Sequence, residues 1–214
     1  MNTKARAVSP GLLFWSKVMA DAQTLKFYAE TAPAYAQHGS DEPDQNLLDF
    51  IAALPTGAKV LELGTGGGRD AAFMLGQGIA IDATDGSPEL AAEAERRIGQ
   101  PVSIIRFDQL AATACYDGVW ANACLLHAPA DELTEDLTRI HRALKPGGLF
   151  VSSFKAGTGE GRDKFGRYYN YPDQATLESH FQAAANWQSL SISARPGSGY
   201  DKLPTSWLWV SARA

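Results

Sequence analysis

Cysteine is almost missing from this chain: Cys115 and Cys124 are the two thiols among 214 residues. Two cysteines make neither a disulfide framework nor a repeated metal-ligand spacing, so no metal site is expected and a reducing cytoplasm fits. Long apolar runs are missing too. Stretches such as 12–15 and 123–126 fall far short of the roughly 18 residues that cross a bilayer, so no membrane segment is expected. Lys4 and Arg6 precede a short apolar stretch, but Ser16 and Lys17 interrupt it before it reaches signal-peptide length, and residues 1–20 read as a flexible N-terminal arm. Nor is positive charge in excess. The 19 Lys and Arg against 24 Asp and Glu leave a formal charge of −5, which argues against a partner bound through phosphate backbones, so no nucleic acid is expected. What is present, 45% hydrophobic residues with 20% charged, suffices for one core and is too weakly charged for a disordered chain.

From about residue 21 to 54 the chain reads as helical. Phe27, Ala32 and Tyr35, then Leu47, Leu48, Ile51 and Leu54, recur at helical spacing around Pro43. The pattern then changes to strand and helix in alternation. Residues 59–63 are a buried-strand pattern that runs into glycines and a helix, 79–84 a second strand, and Ser87-Pro88 opens a helix with Leu90, Ala94 and Ile98 on one face. Further strands are expected at 102–107, 117–122 and 149–154. The helix expected over 131–144 carries a Leu133, Leu137, Ile140, Leu144 stripe, with acids early and bases late, as the helix dipole favours. A glycine-rich charged loop over 156–171, a helix near 173–183 and two strand patterns near 187–194 and 207–212 complete the chain. The last two read as an antiparallel hairpin at a sheet edge. Such alternation builds a parallel sheet with helices on both faces, and its ligand crevice lies at the carboxyl ends of the central strands.

After the first strand stands Glu62-Leu63-Gly64-Thr65-Gly66-Gly67-Gly68-Arg69-Asp70. Glycines here let a ligand lie against bare backbone at a helix N-terminus. A dinucleotide fingerprint needs a third glycine where Arg69 stands, and Glu62 would place a carboxylate near the pyrophosphate. No Lys-Ser or Lys-Thr pair follows, which excludes a P-loop. A cationic, phosphate-free ligand suits this acid better; S-adenosylmethionine, with its sulfonium and α-ammonium, is such a ligand.

Glu62 to Gly68 resembles motif I of the class I S-adenosylmethionine-dependent methyltransferases, and Leu144-Lys145-Pro146-Gly147-Gly148 resembles the turn before their fifth strand. Element order and spacing match over about residues 25–214. Gly68-Arg69-Asp70 and Ser153-Phe154-Lys155 through Gly159-Glu160-Gly161-Arg162 are similar to small bacterial enzymes near the tellurite-resistance methyltransferases. The resemblance implies an α/β fold with a Rossmann-like, seven-stranded, mostly parallel sheet, an antiparallel last strand and helices on both faces. It further implies one methyltransferase domain over 21–214, with 21–54 as a helical cover, 58–214 as the core and 156–171 as a lid. The cofactor would be S-adenosylmethionine, and the partner a small-molecule acceptor methylated by in-line displacement. An NAD(P)-dependent oxidoreductase and a non-catalytic cofactor-binding module are the alternatives.

Residue by residue, the resemblance puts Glu62, Gly64, Thr65 and Gly66 at the cofactor, and Asp85 with Gly86 and Ser87 at its ribose; Asp82 is the rival acid. Phe107 and Asp108 would meet the adenine, and Arg69 the methionine carboxylate. Tyr28 and Tyr35, seven apart on one helix face, would cover the methionine end. Asn122 and Ala123 would flank the methyl group, without the Asn-Pro-Pro-Tyr or Asp-Pro-Pro-Tyr tetrad of enzymes that methylate amino groups of nucleic acids and glutamine. His127 is the candidate general base, or a packed loop histidine. Cys124 reads as a small buried residue. Lys155, Arg162, Lys164 and Arg167 outnumber Glu160 and Asp163. Arg162, Arg167 and Tyr168 are accordingly candidates for binding a polar or anionic acceptor, against a solvated loop.

Overall fold

The computed structural model describes residues 21–39 and 42–214; the arm expected over 1–20 lies outside them. α1 (Ala22–Ala36) and α2 (Gln45–Ala52) form the N-terminal cover, each opened by an aspartate, Asp21 or Asp44, whose carboxylate accepts from a first-turn N–H. Then come β1 (Lys59–Leu63), α3 (Arg69–Gly76), β2 (Ala80–Asp85), α4 (Pro88–Ile98), β3 (Ser103–Ile104) and β4 (Tyr116–Ala121). α5 (Leu133–Ala143), β5 (Leu144–Lys155), β6 (Gly161–Arg162), β7 (Tyr168–Tyr169), α6 (Gln174–Ala184), β8 (Ser189–Ser198) and β9 (Pro204–Arg213) follow.

The main sheet has the order β3-β2-β1-β4-β5-β9-β8. Its first five strands are parallel, β9 runs antiparallel to β5, and β8 antiparallel to β9. Strand order reverses between β1 and β4, and at that switch point a doubly wound sheet opens its crevice. Both faces are covered. Val60, Met74, Ala94, Phe50 and Trp120 pack on one side, and Leu61, Val119, Leu137, Phe150 and Phe181 on the other. Burial of each large apolar side chain contributes about 1.5–3 kcal/mol. A strand buried on both faces has no polar alternation, so Glu62, 3% exposed within β1, stands out chemically. Among the described residues, no helix is long and apolar enough to cross a membrane, and no group of three or more His, Cys, Asp and Glu could hold a metal ion.

Four expectations shift. The third strand shrinks to Ser103–Ile104, because the chain turns into a 3-10 turn at Phe107–Gln109, where Gln109 caps the Arg106 N–H. α5 starts at Leu133 rather than Asp131. The Pro146-Gly147-Gly148 turn lies inside β5 as an irregularity: pairing jumps from Tyr116–Leu144 to Gly118–Leu149, with Gly147 at φ +77°. The loop over 156–171 contains a small antiparallel hairpin, β6 with β7, closed by Asp163, which accepts from the N–H groups of Phe165 and Arg167.

Candidate active site

The glycine loop after β1 divides its labour. A Cβ on Gly64 would stand 2.4 Å from Cys124 Cβ, and one on Gly67 2.6 Å from Ala36 Cα, so each is glycine because a neighbour packs against it, the Cys124 side chain for the first and the Ala36 backbone for the second. Gly66, at φ +57°, has nothing nearer than the Tyr35 ring at 3.7 Å, and its open backbone faces a cleft. Asp85, at the end of β2, also lines this cleft. One carboxylate oxygen accepts from Gly66 N at 2.8 Å and the other from Ser87 N at 2.8 Å. The Gly86 N–H also acts on this carboxylate; an ionised carboxylate offers about four lone-pair sites, so acceptor capacity remains for a donor in the cleft. Burial raises the Asp85 pKa to about 6, opposed by those N–H groups. Leu25, Leu90, Ile105 and Phe107 give the same cleft its apolar slot.

Beneath the loop, Glu62 is raised to about 8 by burial and then by Asp70, with the Thr65 hydroxyl, 2.6 Å away, opposing. Asp70 accepts from Trp120 Nε1 at 2.8 Å and Asn122 Nδ2 at 3.3 Å. Asp70 and Asp85 help to hold a proton on Glu62 near pH 7, so the acids around the loop make a site that an arriving cation relieves and a pyrophosphate aggravates. At the end of β4, Ser153 Oγ donates to Asn122 Oδ1 at 2.7 Å and accepts from Ala123 N at 2.8 Å, which holds Ala123 at φ +53°. Such a left-handed alanine costs about 1–2 kcal/mol and persists where its surroundings over-determine it.

His127 is locked at both nitrogens. Nδ1 lies 2.6 Å from the Tyr168 carbonyl, an acceptor only, so Nδ1 carries the proton and Nε2 accepts from the Tyr28 hydroxyl at 2.8 Å. Arg167 Nη1 in turn donates to the Tyr28 oxygen at 3.2 Å. Burial lowers the His127 pKa to about 4, so the imidazole is neutral near pH 7 and its one lone pair is occupied. Burial likewise holds the Tyr28 phenol well above its ordinary value.

A second cavity, of about 460 Å³, adjoins the cleft. Tyr28, Tyr35, Asn122, Ala123 and His127 line both and form the wall between them. Its far side is cationic and aromatic, with Lys155, Arg167, Arg195, Tyr169, Trp207 and Trp209.

Most of the expected residues converge, and seven do not line either space. Gly64, Gly66, Asp85, Gly86 and Phe107 line the cleft alone, and the five wall residues complete it. Glu62, Thr65 and Ser87 are buried behind it; Ser87 caps α4 through Leu90 N. Arg69 instead donates to the His38 carbonyl. Asp108 pairs with Arg106 at 3.0 and 3.1 Å, and Arg106 takes the cleft position. Arg162 pairs with Asp21 at 2.6 and 2.9 Å, which pulls the Asp21 pKa down to about 2, and the Tyr168 hydroxyl donates to Glu160. Arg167 reaches the second cavity, 1% exposed and bound to Asp163. The rival Asp82 accepts from Tyr116 and pairs with Lys59, away from both spaces. Sequence reading missed Asp21, Thr24 and Leu25 in the cleft and, in the second cavity, Trp207 and Arg195, which extend a row from Lys155. The Trp207, Trp209 alternation was the one signal available for the latter.

A doubly wound sheet with a glycine loop, a strand-end acid and an apolar slot at its switch point defines a nucleoside-binding α/β protein. The family described as a methyltransferase domain matches residues 35–190, and the chain belongs to that family. An uncharacterized methyltransferase of Synechocystis sp. is 28% identical over 115 residues, 53% of this chain and 54% of the relative; the chain thus spans about half the length of that curated relative. The fold is similar to that of Burkholderia thailandensis 1,6-didemethyltoxoflavin-N1-methyltransferase, solved with 1,6-didemethyltoxoflavin and S-adenosylhomocysteine. That likeness has a TM-score of 0.67 and 24% identity, covering 99% of this chain and 92% of that one. It is also similar to the CcbJ methyltransferase of Streptomyces caelestis, with a TM-score of 0.66 and 19% identity, covering 90% and 98%.

Proposed function

We propose that this protein transfers the methyl group of S-adenosylmethionine to a small-molecule acceptor held in the second cavity. The observation that carries this reading is the shared wall: Tyr28, Asn122 and His127 border a nucleoside-shaped cleft on one side and a separate cavity on the other. The residues present fit the cofactor. Asp85 keeps acceptor capacity for the ribose hydroxyls, Gly66 presents bare backbone, Phe107 and Ile105 form the adenine slot, and Glu62 and Asp70 favour the cationic amino-acid end. When bound, S-adenosylmethionine supplies a sulfonium methyl that an acceptor lone pair takes in line, the broken C–S bond's electrons remaining on sulfur.

The protein's own part is alignment and exclusion of water, which supplies much of the rate of such transfers. His127 holds the Tyr28 hydroxyl in place as a positioning residue rather than as a base, because its lone pair is filled and its pKa is far below neutrality. Asn122 and Ala123, fixed by Ser153, set the floor between the two ligands. Arg162 acts through Asp21 as a latch that joins the hairpin to the start of α1, and Tyr168 anchors that hairpin through Glu160.

Titration calorimetry tests the reading: S-adenosylhomocysteine binds and NADH does not. The reverse pattern would support the oxidoreductase alternative, against which the acids around the glycine loop already stand. Cofactor binding without turnover on a broad panel of phenols, amines, thiols and carboxylates would favour the non-catalytic module.

A further inference from the structure

The second cavity contains a buried cation with no hydrogen-bond acceptor among the described residues. Lys155 ends β5 and is 5% exposed; among the described residues the one carboxylate within 4 Å of it is Asp201, at 3.9 Å, beyond hydrogen-bond reach, and Asp163 acts on it from farther away. Its Nζ lies instead 4.8 Å from the centre of the Tyr169 ring and 6.0 Å from that of Trp207. Burial of an ammonium is costly unless charged acceptors meet its N–H groups, and burial lowers the Lys155 pKa. Arg167, in the same lining, is satisfied: Asp163 takes Nε and Nη2, and Tyr28 takes Nη1. Lys155 is therefore the buried cation with donors to spare, Arg195 being exposed.

Its surroundings define the rest of a ligand. Lys155 faces Trp207 across β5 and β9, and Trp207 faces Arg195 across β9 and β8, so a ring lies between two cations along one row of the sheet. Tyr169, Tyr200 and Trp209 add further aromatic surface, while Asp44 in the lining and Asp201 beside Lys155 limit the negative charge the cavity accepts.

Building on the proposed methyl transfer, we propose that the acceptor is a planar aromatic acid whose carboxylate pairs with Lys155 and whose ring lies against the aromatic lining. The atom to be methylated then faces Tyr28 and Asn122 at the wall. A carboxylate gives Lys155 the charge-assisted hydrogen bonds it lacks, and a neutral polar acceptor leaves the ammonium unmet.

The test is calorimetric titration of the full chain saturated with S-adenosylhomocysteine. The probes are 4-hydroxybenzoate, 6-hydroxy-2-naphthoate, their primary amides, and trans-4-hydroxycyclohexanecarboxylate. At least one aromatic acid is expected to bind tenfold or more tighter than its amide and than the saturated acid. Lys155→Met is expected to bring the aromatic acids to the level of the amides, with S-adenosylhomocysteine affinity unchanged, and Lys155→Arg to retain the preference. Equal binding of acids and amides, binding of none of the acids, or a preference that survives Lys155→Met overturns the proposal. If Lys155→Met does not fold, the wild-type comparison decides alone. Failure of S-adenosylhomocysteine itself to bind strikes the methyl-transfer reading instead.

Discussion

The Tyr28 hydroxyl and the His127 imidazole meet at 2.8 Å although 99 positions separate them, and this bond closes the wall between the two cavities. Removing the donor orphans a buried acceptor. Tyr28→Phe is expected to lose about 1–3 kcal/mol of stability, read as a lowered denaturant midpoint at unchanged slope. Nitrogen-15 spectra of the wild type should show the Nδ1–H tautomer at neutral pH; an Nε2–H tautomer would overturn the assignment.

Asp85 supplies the charged acceptors of the cleft. Asp85→Ala is expected to weaken S-adenosylhomocysteine by about 1.5–3 kcal/mol, measured by titration calorimetry. Unchanged affinity would remove Asp85 from the binding site.

Acidification should move cofactor affinity and stability in opposite directions. Asp85 has a folded pKa of about 6 against an ordinary 3.8. As pH falls through about 6 the carboxyl takes a proton, loses acceptor capacity, and affinity for S-adenosylhomocysteine drops. The same protonation favours the folded chain, since between 6 and 3.8 the native state binds more protons than the unfolded one; this contribution to stability is lost as pH rises through 6. Asp85→Asn should flatten its part of both trends, and parallel pH profiles for variant and wild type would contradict the assignment.

Two glycine substitutions in one segment should have opposite signs. Gly67→Ala drives a methyl to 2.6 Å from the Ala36 backbone and is expected to destabilise by about 1–3 kcal/mol. Gly76→Ala, in the last turn of α3 with nothing within 4 Å, is expected to stabilise by about 0.4–1 kcal/mol. Thermal melts of the pair distinguish packing from backbone freedom.

The Asp163–Arg167 pair is buried on both sides, with side chains 4% and 2% exposed. Asp163→Ala leaves a guanidinium among Phe27, Tyr28 and Tyr169 without its carboxylate and is expected to cost about 3–5 kcal/mol. A loss under 1 kcal/mol in chemical denaturation would mean that the rings alone hold Arg167.

Local chemistry was legible in the chain. The alternation of strands and helices, the glycine loop, the Ser87-Pro88 helix start and the acid at the end of β2 rest on periodicity, capping and backbone freedom within a few neighbouring residues. Charge runs were not legible in this way. Arg162 and Arg167, grouped in sequence with Lys155 as candidates to meet an anion, differ in fate: Asp21 takes Arg162 away from the cavity, and Asp163 satisfies Arg167 beside Lys155 in its lining. Asp108 likewise turns to Arg106, two residues away, instead of toward the cleft. The sequence alone thus determined the sheet, the glycine loop and the strand-end acid, because those follow from short-range constraints. Only the tertiary structure decided which charges are satisfied, since a salt bridge needs a partner within about 4 Å, and the fold brings up a distant one for Arg162, Asp21, and a near one for Asp108, Arg106.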